Sequence, residues 1–202
     1  MPLIFKENID SNTIVGVWKI AETETELLKG LILSEADKNA TLSLSLSKRR
    51  LERIACRKVL ASLLQKNKIV IEYGKNGAPL MDGFHVSFSH SGEMVAVAIS
   101  VSNPVGIDIE KIQDKIVALQ SKFVTEHELT SEESKNKDII TRVWTAKEAV
   151  YKLFSGETPD FKEQIFVKSD KATILLHDKT HTVNLFHWKI EEYQCTVSIF
   201  IH

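Results

Sequence analysis

Apolar residues alternate with others in IVGVWKI (14–20), a period of two that predicts a strand. ETETELLKGLI (22–32) suggests a helix, and the stretch from about Leu42 to Gln65 has helical composition with no Gly or Pro. The pattern then changes to three runs rich in β-branched or aromatic residues: IVIEYG (69–74), GFHVSFS (83–89) and MVAVAISV (94–101), separated by NGAP and SG turn signals. VGIDIEKI, from Val105, predicts another strand. Helical stretches follow near 114–122 and 137–154, and IFVK, ATILL, HTVNLFHWKI and CTVSIFI predict a closing run of strands. Ser-Asn-Pro at 102–104 is the best junction, since Asn-Pro favours a turn and Pro104 removes a ladder donor. The expected organisation is an N-terminal half (1–102) and a C-terminal half (103–202), each with helices and an antiparallel sheet. That is α+β rather than βαβ alternation.

Composition narrows the setting. Of 202 residues, 43% are hydrophobic and 26% charged, enough to bury one sizeable core or two small ones. Lys plus Arg total 26 and Asp plus Glu 27, so no global field recruits nucleic acid or an anionic membrane. Any polyanion site must be local. Cys56 and Cys195 are far apart without metal spacing, and MPLIFKENID lacks the basic and apolar segments of a signal peptide. No apolar run approaches the ~20 residues of a membrane helix. The expectation is a cytoplasmic protein that neither enters a bilayer nor binds nucleic acid.

Within GIDIE, Asp108 and Glu110 are two residues apart, so a strand projects both carboxylates to one face and Ile107 and Ile109 to the other. Two such oxygen ligands suit Mg²⁺, although an ordinary half-exposed strand has the same pattern. In RVWTAKEAVYKL (142–153), Trp144, Glu148 and Lys152 fall on one line of a helix. Glu148 and Lys152 could form a surface ion pair worth about 0.2–0.5 kcal/mol. Alternatively, Glu148 supplies a third carboxylate to the metal and Lys152 meets a phosphate oxygen, a layout for phosphoryl transfer. Trp144 would fix the rotation of this helix, while Lys147 could point to phosphates or to solvent.

Ser89, His90 and Ser91 of FSHSG end a strand before a Gly turn, where hydroxyls, ring N–H and backbone amides can gather around an anion. Arg50, Arg53 and Arg57 form a basic stripe at helical spacing that could hold a terminal nucleotide phosphate or simply be solvated. Thr125 and Glu128 read as a capping box. No zincin spacing, Walker loop or dinucleotide loop is present.

The order F-H-V-S-F-S-H-S, V-G-I-D-I-E, F-V-T-E-H-E, W-T-A-K-E-A-V-Y-K resembles the 4′-phosphopantetheinyl transferase superfamily, in particular its surfactin-synthetase-activating type. The resemblance implies a pseudo-dimer of two similar α+β halves with the active site in the cleft between them. It implies that a serine hydroxyl of an apo acyl or peptidyl carrier protein attacks the pantetheine-side phosphate of coenzyme A, giving holo carrier protein and 3′,5′-ADP. Asp108, Glu110 and Glu148 match the metal-site acids, with Glu148 also a candidate base and Lys152 the lysine at the pyrophosphate. The metal would be Mg²⁺, with Mn²⁺ also able to accept oxygen ligands.

Ser89 and His90 match the coenzyme A-binding turn, and Arg50, Arg53 and Arg57 lie where basic residues hold the 3′-phosphate. The family's Gly-Lys-Pro reads Gly77-Ala78-Pro79 here, with Lys75 as a possible substitute for the missing lysine. Glu128 matches an acid of the family's third block without being read as catalytic. The resemblance also implies a carrier-docking surface near 112–135 and a monomer, because a two-half chain has less need of a partner to complete its site. The competing readings are a metal-dependent nucleotide or pyrophosphate hydrolase and a non-catalytic carrier-binding module. Whether the acceptor serves fatty-acid, polyketide or peptide synthesis is left open.

Overall fold

A computed structural model describes residues 3–154 and 156–200. Contacts divide the chain into two compact units, residues 1–102 and 103–202. Both combine helices with an antiparallel sheet, the mixed architecture expected from the strand and helix patterns.

The first unit contains, in chain order, β1 (Leu3–Asn8), β2 (Thr13–Lys19), α1 (Glu24–Leu28), β3 (Ile32–Leu33), α2 (Glu35–Leu42) and α3 (Ser47–Leu64). It continues with β4 (Lys68–Ile69), β5 (Glu72–Tyr73), β6 (Pro79–Leu80), β7 (His85–Ser91) and β8 (Met94–Ser100). The main sheet runs β1-β2-β8-β7, all antiparallel, with small β3-β4 and β5-β6 pairs beside it. α3 buries Ile54, Ala55, Val59, Leu60 and Leu63 in a core with Trp18, Val95 and Val97. Gly16 of β2 permits this approach, since a Cβ there would lie 2.9 Å from Val59 Cγ1.

The helix expected near 42–65 starts later, at Ser47, as α3, and a separate helix, α2, precedes it and ends at Leu42. The break carries Ser43, Ser45 and Ser47, which compete for backbone hydrogen bonds, and Ser43 Oγ donates to the Ala40 carbonyl at 3.0 Å. Arg50 Nη1 donates to the Leu44 carbonyl at 2.7 Å, which satisfies an acceptor that the broken helix leaves open. The 69–74 run forms two short strands rather than one, and β1 is a strand that alternation in MPLIFKENID did not suggest.

The second unit contains β9 (Val105–Lys111), α4 (Lys115–Leu119), α5 (Lys137–Leu153), β10 (Ile165–Lys168), β11 (Lys171–Leu176), β12 (Lys179–Ile190) and β13 (Tyr193–Phe200). Its antiparallel sheet runs β10-β11-β12-β13-β9. α5 starts where Asn136 Oδ1 accepts from the Asp138 amide at 2.9 Å. Its apolar face, Ile140, Val143, Ala146, Val150 and Leu153, packs with Ile165, Ile174, Val183 and Leu185. None of the described helices is long and apolar enough to cross a membrane.

Candidate active site

The second unit brings β9 beneath α5. Gly106 makes this possible, because a Cβ at that position would lie 1.9 Å from the Ala149 carbonyl oxygen. The glycine of the GIDIE motif is therefore a packing requirement: the helix rests on the bare strand backbone. Asp108 follows two residues later on the same face of the strand. It is only 6% exposed, whereas Ile107 and Ile109 on the other face are fully buried. The acidic face of GIDIE thus lies partly under the helix instead of standing in solvent.

Lys152, near the end of α5, donates to Asp108 Oδ1 at 2.7 Å and to the Ile107 carbonyl at 3.0 Å. Its ammonium is therefore tied to the strand. Glu148, one turn earlier, is half-buried, and its carboxyl is pushed up to about 7 by burial first and then by Asp108 and Glu110, against the opposing pull of Lys152. Asp108, Glu110, Glu148 and Lys152 thus share one electrostatic neighbourhood.

This charge set is tested most directly by its imbalance. Three carboxyl groups face one ammonium, and one of them holds its proton to near neutrality. A divalent cation would relieve that repulsion, so the donor set fits a hard metal ion. Among the described residues no three acid, His or Cys side chains already converge on one ligation point, and Lys152 currently bonds Asp108.

Trp144 stacks edge-on to Phe123 at 4.9 Å and lies 5.5 Å from Phe161, so it does pin the helix rotation. Lys147 points neither to phosphates nor to solvent. Its Nζ is buried, bonds Glu128 at 2.8 Å and donates to the Phe161 and Ile165 carbonyls, each at 2.7 Å. Burial lowers its affinity for the proton while Glu128 opposes that shift. Glu128 accepts from the Thr125 amide at 2.8 Å and from the Val167 amide at 2.9 Å. Only half of the expected capping box forms: the Glu128 carboxylate accepts from the Thr125 amide and hydroxyl, while the Glu128 amide donates to the Thr125 carbonyl at 3.2 Å, and the segment is a turn, since no helix begins there. Glu128 is a structural tether.

In the first unit the arginine stripe is tied to neighbouring elements. Arg57, 1% exposed, donates through Nε and Nη2 to the two oxygens of Asp37 at 2.8 Å each. Arg53 Nη2 also reaches Asp37 at 2.8 Å, and Arg57 Nη2 donates to the Tyr73 hydroxyl at 2.9 Å. Arg50 Nε donates to Glu24 at 2.8 Å. These pairs fasten α1 and α2 to α3, so the stripe is neither wholly solvated nor three open guanidinium groups. Asp37 was missed in the sequence because nothing local marks an acid in one helix as the partner of bases in another.

Ser89 is buried on β7 and His90 is exposed beside it. Arg49 Nη1 lies 2.9 Å from His90 Nε2. The guanidinium donates, so Nε2 accepts and Nδ1 carries the proton towards Glu52 Oε1, 3.5 Å away. Arg49 and the buried Glu52 thus join the sequence-derived turn. Lys75 is exposed in the tight 74–78 turn, where the Gly74 amide donates to the Ala78 carbonyl at 2.9 Å and Gly77 takes φ of +79°.

Comparison with known proteins finds the same family. Residues 104–198 match the model of the 4′-phosphopantetheinyl transferase superfamily. The chain is 32% identical over 108 residues to the 4′-phosphopantetheinyl transferase ffp of Bacillus subtilis, covering 49% of this chain and 48% of that protein. It is 35% identical over 85 residues to the 4′-phosphopantetheinyl transferase Sfp of Bacillus subtilis strain 168, covering 40% and 38%. It is 39% identical over 95 residues to the 4′-phosphopantetheinyl transferase gsp of Aneurinibacillus migulanus, covering 45% and 37%. The matched stretch is thus less than half the length of each of these relatives. The resemblance carried by the motifs stands.

Proposed function

From the likeness to the 4′-phosphopantetheinyl transferases, we propose that this protein moves the phosphopantetheine arm of coenzyme A onto a serine of an apo acyl or peptidyl carrier protein. The observation that carries the reading is Glu148 held near neutral protonation beside Asp108, Glu110 and Lys152. With a divalent cation beside it this carboxyl would be ionised at neutral pH and so could accept a proton. Its carboxylate takes the serine proton as Oγ bonds to the pantetheine-side phosphorus and the bond to the departing 3′,5′-ADP breaks. Lys152 presents an ammonium to the pyrophosphate. Asp108, Glu110 and Glu148 would hold Mg²⁺ or Mn²⁺, which supplies positive charge to the phosphates.

Under the same proposal the first unit serves coenzyme A and the second holds the metal. Ser89 and His90, with Arg49 beside them, hold phosphate oxygens. Of the arginine stripe, Arg53 is assigned to the 3′-phosphate, supported by its Nε as a buried donor without a hydrogen-bond partner among the described residues, whereas Arg50 and Arg57, engaged by Glu24 and Asp37, order the helices behind it. Lys75 stands in for the lysine replaced by Ala78.

The test is to incubate the protein with coenzyme A, Mg²⁺ and a panel of apo carrier proteins from fatty-acid, polyketide and peptide synthesis, following each by intact mass. A phosphopantetheine adduct supports the reading and identifies the acceptor. Release of 3′,5′-ADP without carrier protein would select a hydrolase. Carrier binding with no turnover would select a binding module.

A further inference from the structure

One polar chain in the second unit, buried at its threonines and half-buried at its histidine, has no part in the roles assigned so far. His187 on β12 pairs in register with Thr196 on β13, and Thr196 pairs with Asp108 on β9. Residues directly opposite in an antiparallel sheet share a face, so the three side chains form one row. α5 covers that row. Thr145 Oγ1 lies 2.7 Å from Thr196 Oγ1, and both threonines are fully buried. At the far end, His187 Nδ1 lies 2.9 Å from Thr196 Oγ1, and its Nε2 lies 3.2 Å from the Ser169 carbonyl.

A carbonyl stands at each end of the chain, and the Ser169 end sets the direction because the Arg142 carbonyl lies inside α5 and already accepts a helix bond. A carbonyl oxygen only accepts, so His187 Nε2 carries a proton. Burial pushes the ring down to about 4, with Arg142 acting the same way and Ser169 and Asp170 opposing. His187 is therefore neutral near pH 7, and Nδ1 is an acceptor. The Thr196 hydroxyl donates to it and, having a single proton, must accept from Thr145. Thr145 is thereby turned from its alternative acceptor, the Arg142 carbonyl 3.0 Å away on its own helix.

We propose that Thr145, Thr196 and His187 form a one-way hydrogen-bond chain that sets the register of α5 over the row ending in Asp108. They are positioning residues for Glu148 and Lys152, a role that rests on the transferase reading of those two. The close contact of Ala149 with Gly106 sets how near the helix lies, and Trp144 and Lys147 hold its rotation on the core side; the Thr145–Thr196 pair adds a directional bond to the sheet beside Asp108. The hydroxyl pair supplies direction, one turn before Glu148. A shift of about 1 Å in such a group is enough to lower turnover about a hundredfold.

The experiment compares the whole protein with Thr196→Val, which keeps the shape and removes the donor, and with Thr196→Ser, which restores it. Nitrogen NMR of the wild-type His187 ring is expected to show the Nε2–H tautomer. In Thr196→Val the backbone amide signals of Glu148 and Lys152 should move, and in Thr196→Ser they should return. In the carrier assay the valine variant should lose at least about tenfold in kcat with KM for coenzyme A within about twofold, and serine should recover most of it. Thr145→Val, read in the same way, serves if Thr196→Val does not fold. An Nδ1–H tautomer in the wild type, unmoved amide signals in the valine variants, or serine behaving like valine would overturn the chain. Absence of any transfer by the wild type would instead overturn the transferase reading, and the NMR results would then judge the chain.

Discussion

Replacing Glu148 by Gln should stabilise the metal-free protein at about pH 8 and leave its stability nearly unchanged at the acid end. The Glu148 carboxyl is raised from 4.5 to about 7, so the folded state holds this proton more tightly than the unfolded chain does. Below 4.5 both states are protonated and the group costs nothing. As pH rises from 4.5 to about 7 the unfolded state ionises first, and stability falls. Above that window the whole cost is present. Each tenfold difference in proton affinity corresponds to about 1.4 kcal/mol, so the cost reaches roughly 3 kcal/mol. In a chain of this size that is a gain of about 6–12 °C in melting temperature for the variant.

The assay is thermal unfolding of both proteins in chelator across the acid to mildly alkaline range. The difference between the two curves should open with rising pH through the window and then stay constant. Added Mg²⁺ should raise the wild type more than the variant, because the ionised carboxylate is what it would bind. A difference that is independent of pH, or that shrinks as pH rises, would refute the argument that burial and the neighbouring acids hold this proton.

Three further outcomes follow from the contacts. Lys147→Ala leaves Glu128 buried without its ammonium and should cost about 3–5 kcal/mol in urea unfolding. Asp37→Ala strands the buried Arg57 and should cost a similar amount, about 3–5 kcal/mol, also read by urea unfolding. Gly106→Ala sets a methyl 1.9 Å from the Ala149 carbonyl oxygen, and circular dichroism should show loss of cooperative melting.

The strands and helices of the second half were largely legible because α5 is long, lacks Gly and Pro, and has an apolar stripe, while β12 and β13 contain β-branched runs. The α2–α3 break was hidden because its signal is serine chemistry and an arginine reaching back to Leu44, not a glycine or proline. Among chemical residues, Asp108, Glu110, Glu148 and Lys152 stood out through spacing within single elements. Thr196 and His187 did not, since in CTVSIF and LFHWKI they look like ordinary strand positions. Their meaning comes from register between β12, β13 and β9, which no local pattern encodes. The same reason hid Asp37 as the partner of Arg53 and Arg57.

Lys147 and Glu148 are sequence neighbours with opposite energetic roles, and the helix explains why. A step of one residue turns the side chain by about 100°. Lys147 therefore enters the core side, where Glu128 and two carbonyls satisfy its ammonium. Glu148 turns towards Asp108 and Glu110, where its charge is opposed. One residue fastens the helix and the other is held in an unfavourable charge state by that fastening. A folded protein seldom keeps such an acid for stability alone. Residues that hold the helix should thus affect Glu148 without touching it: weakening the Lys147 tether would let the helix turn, reduce the crowding of carboxylates and lower the Glu148 proton affinity.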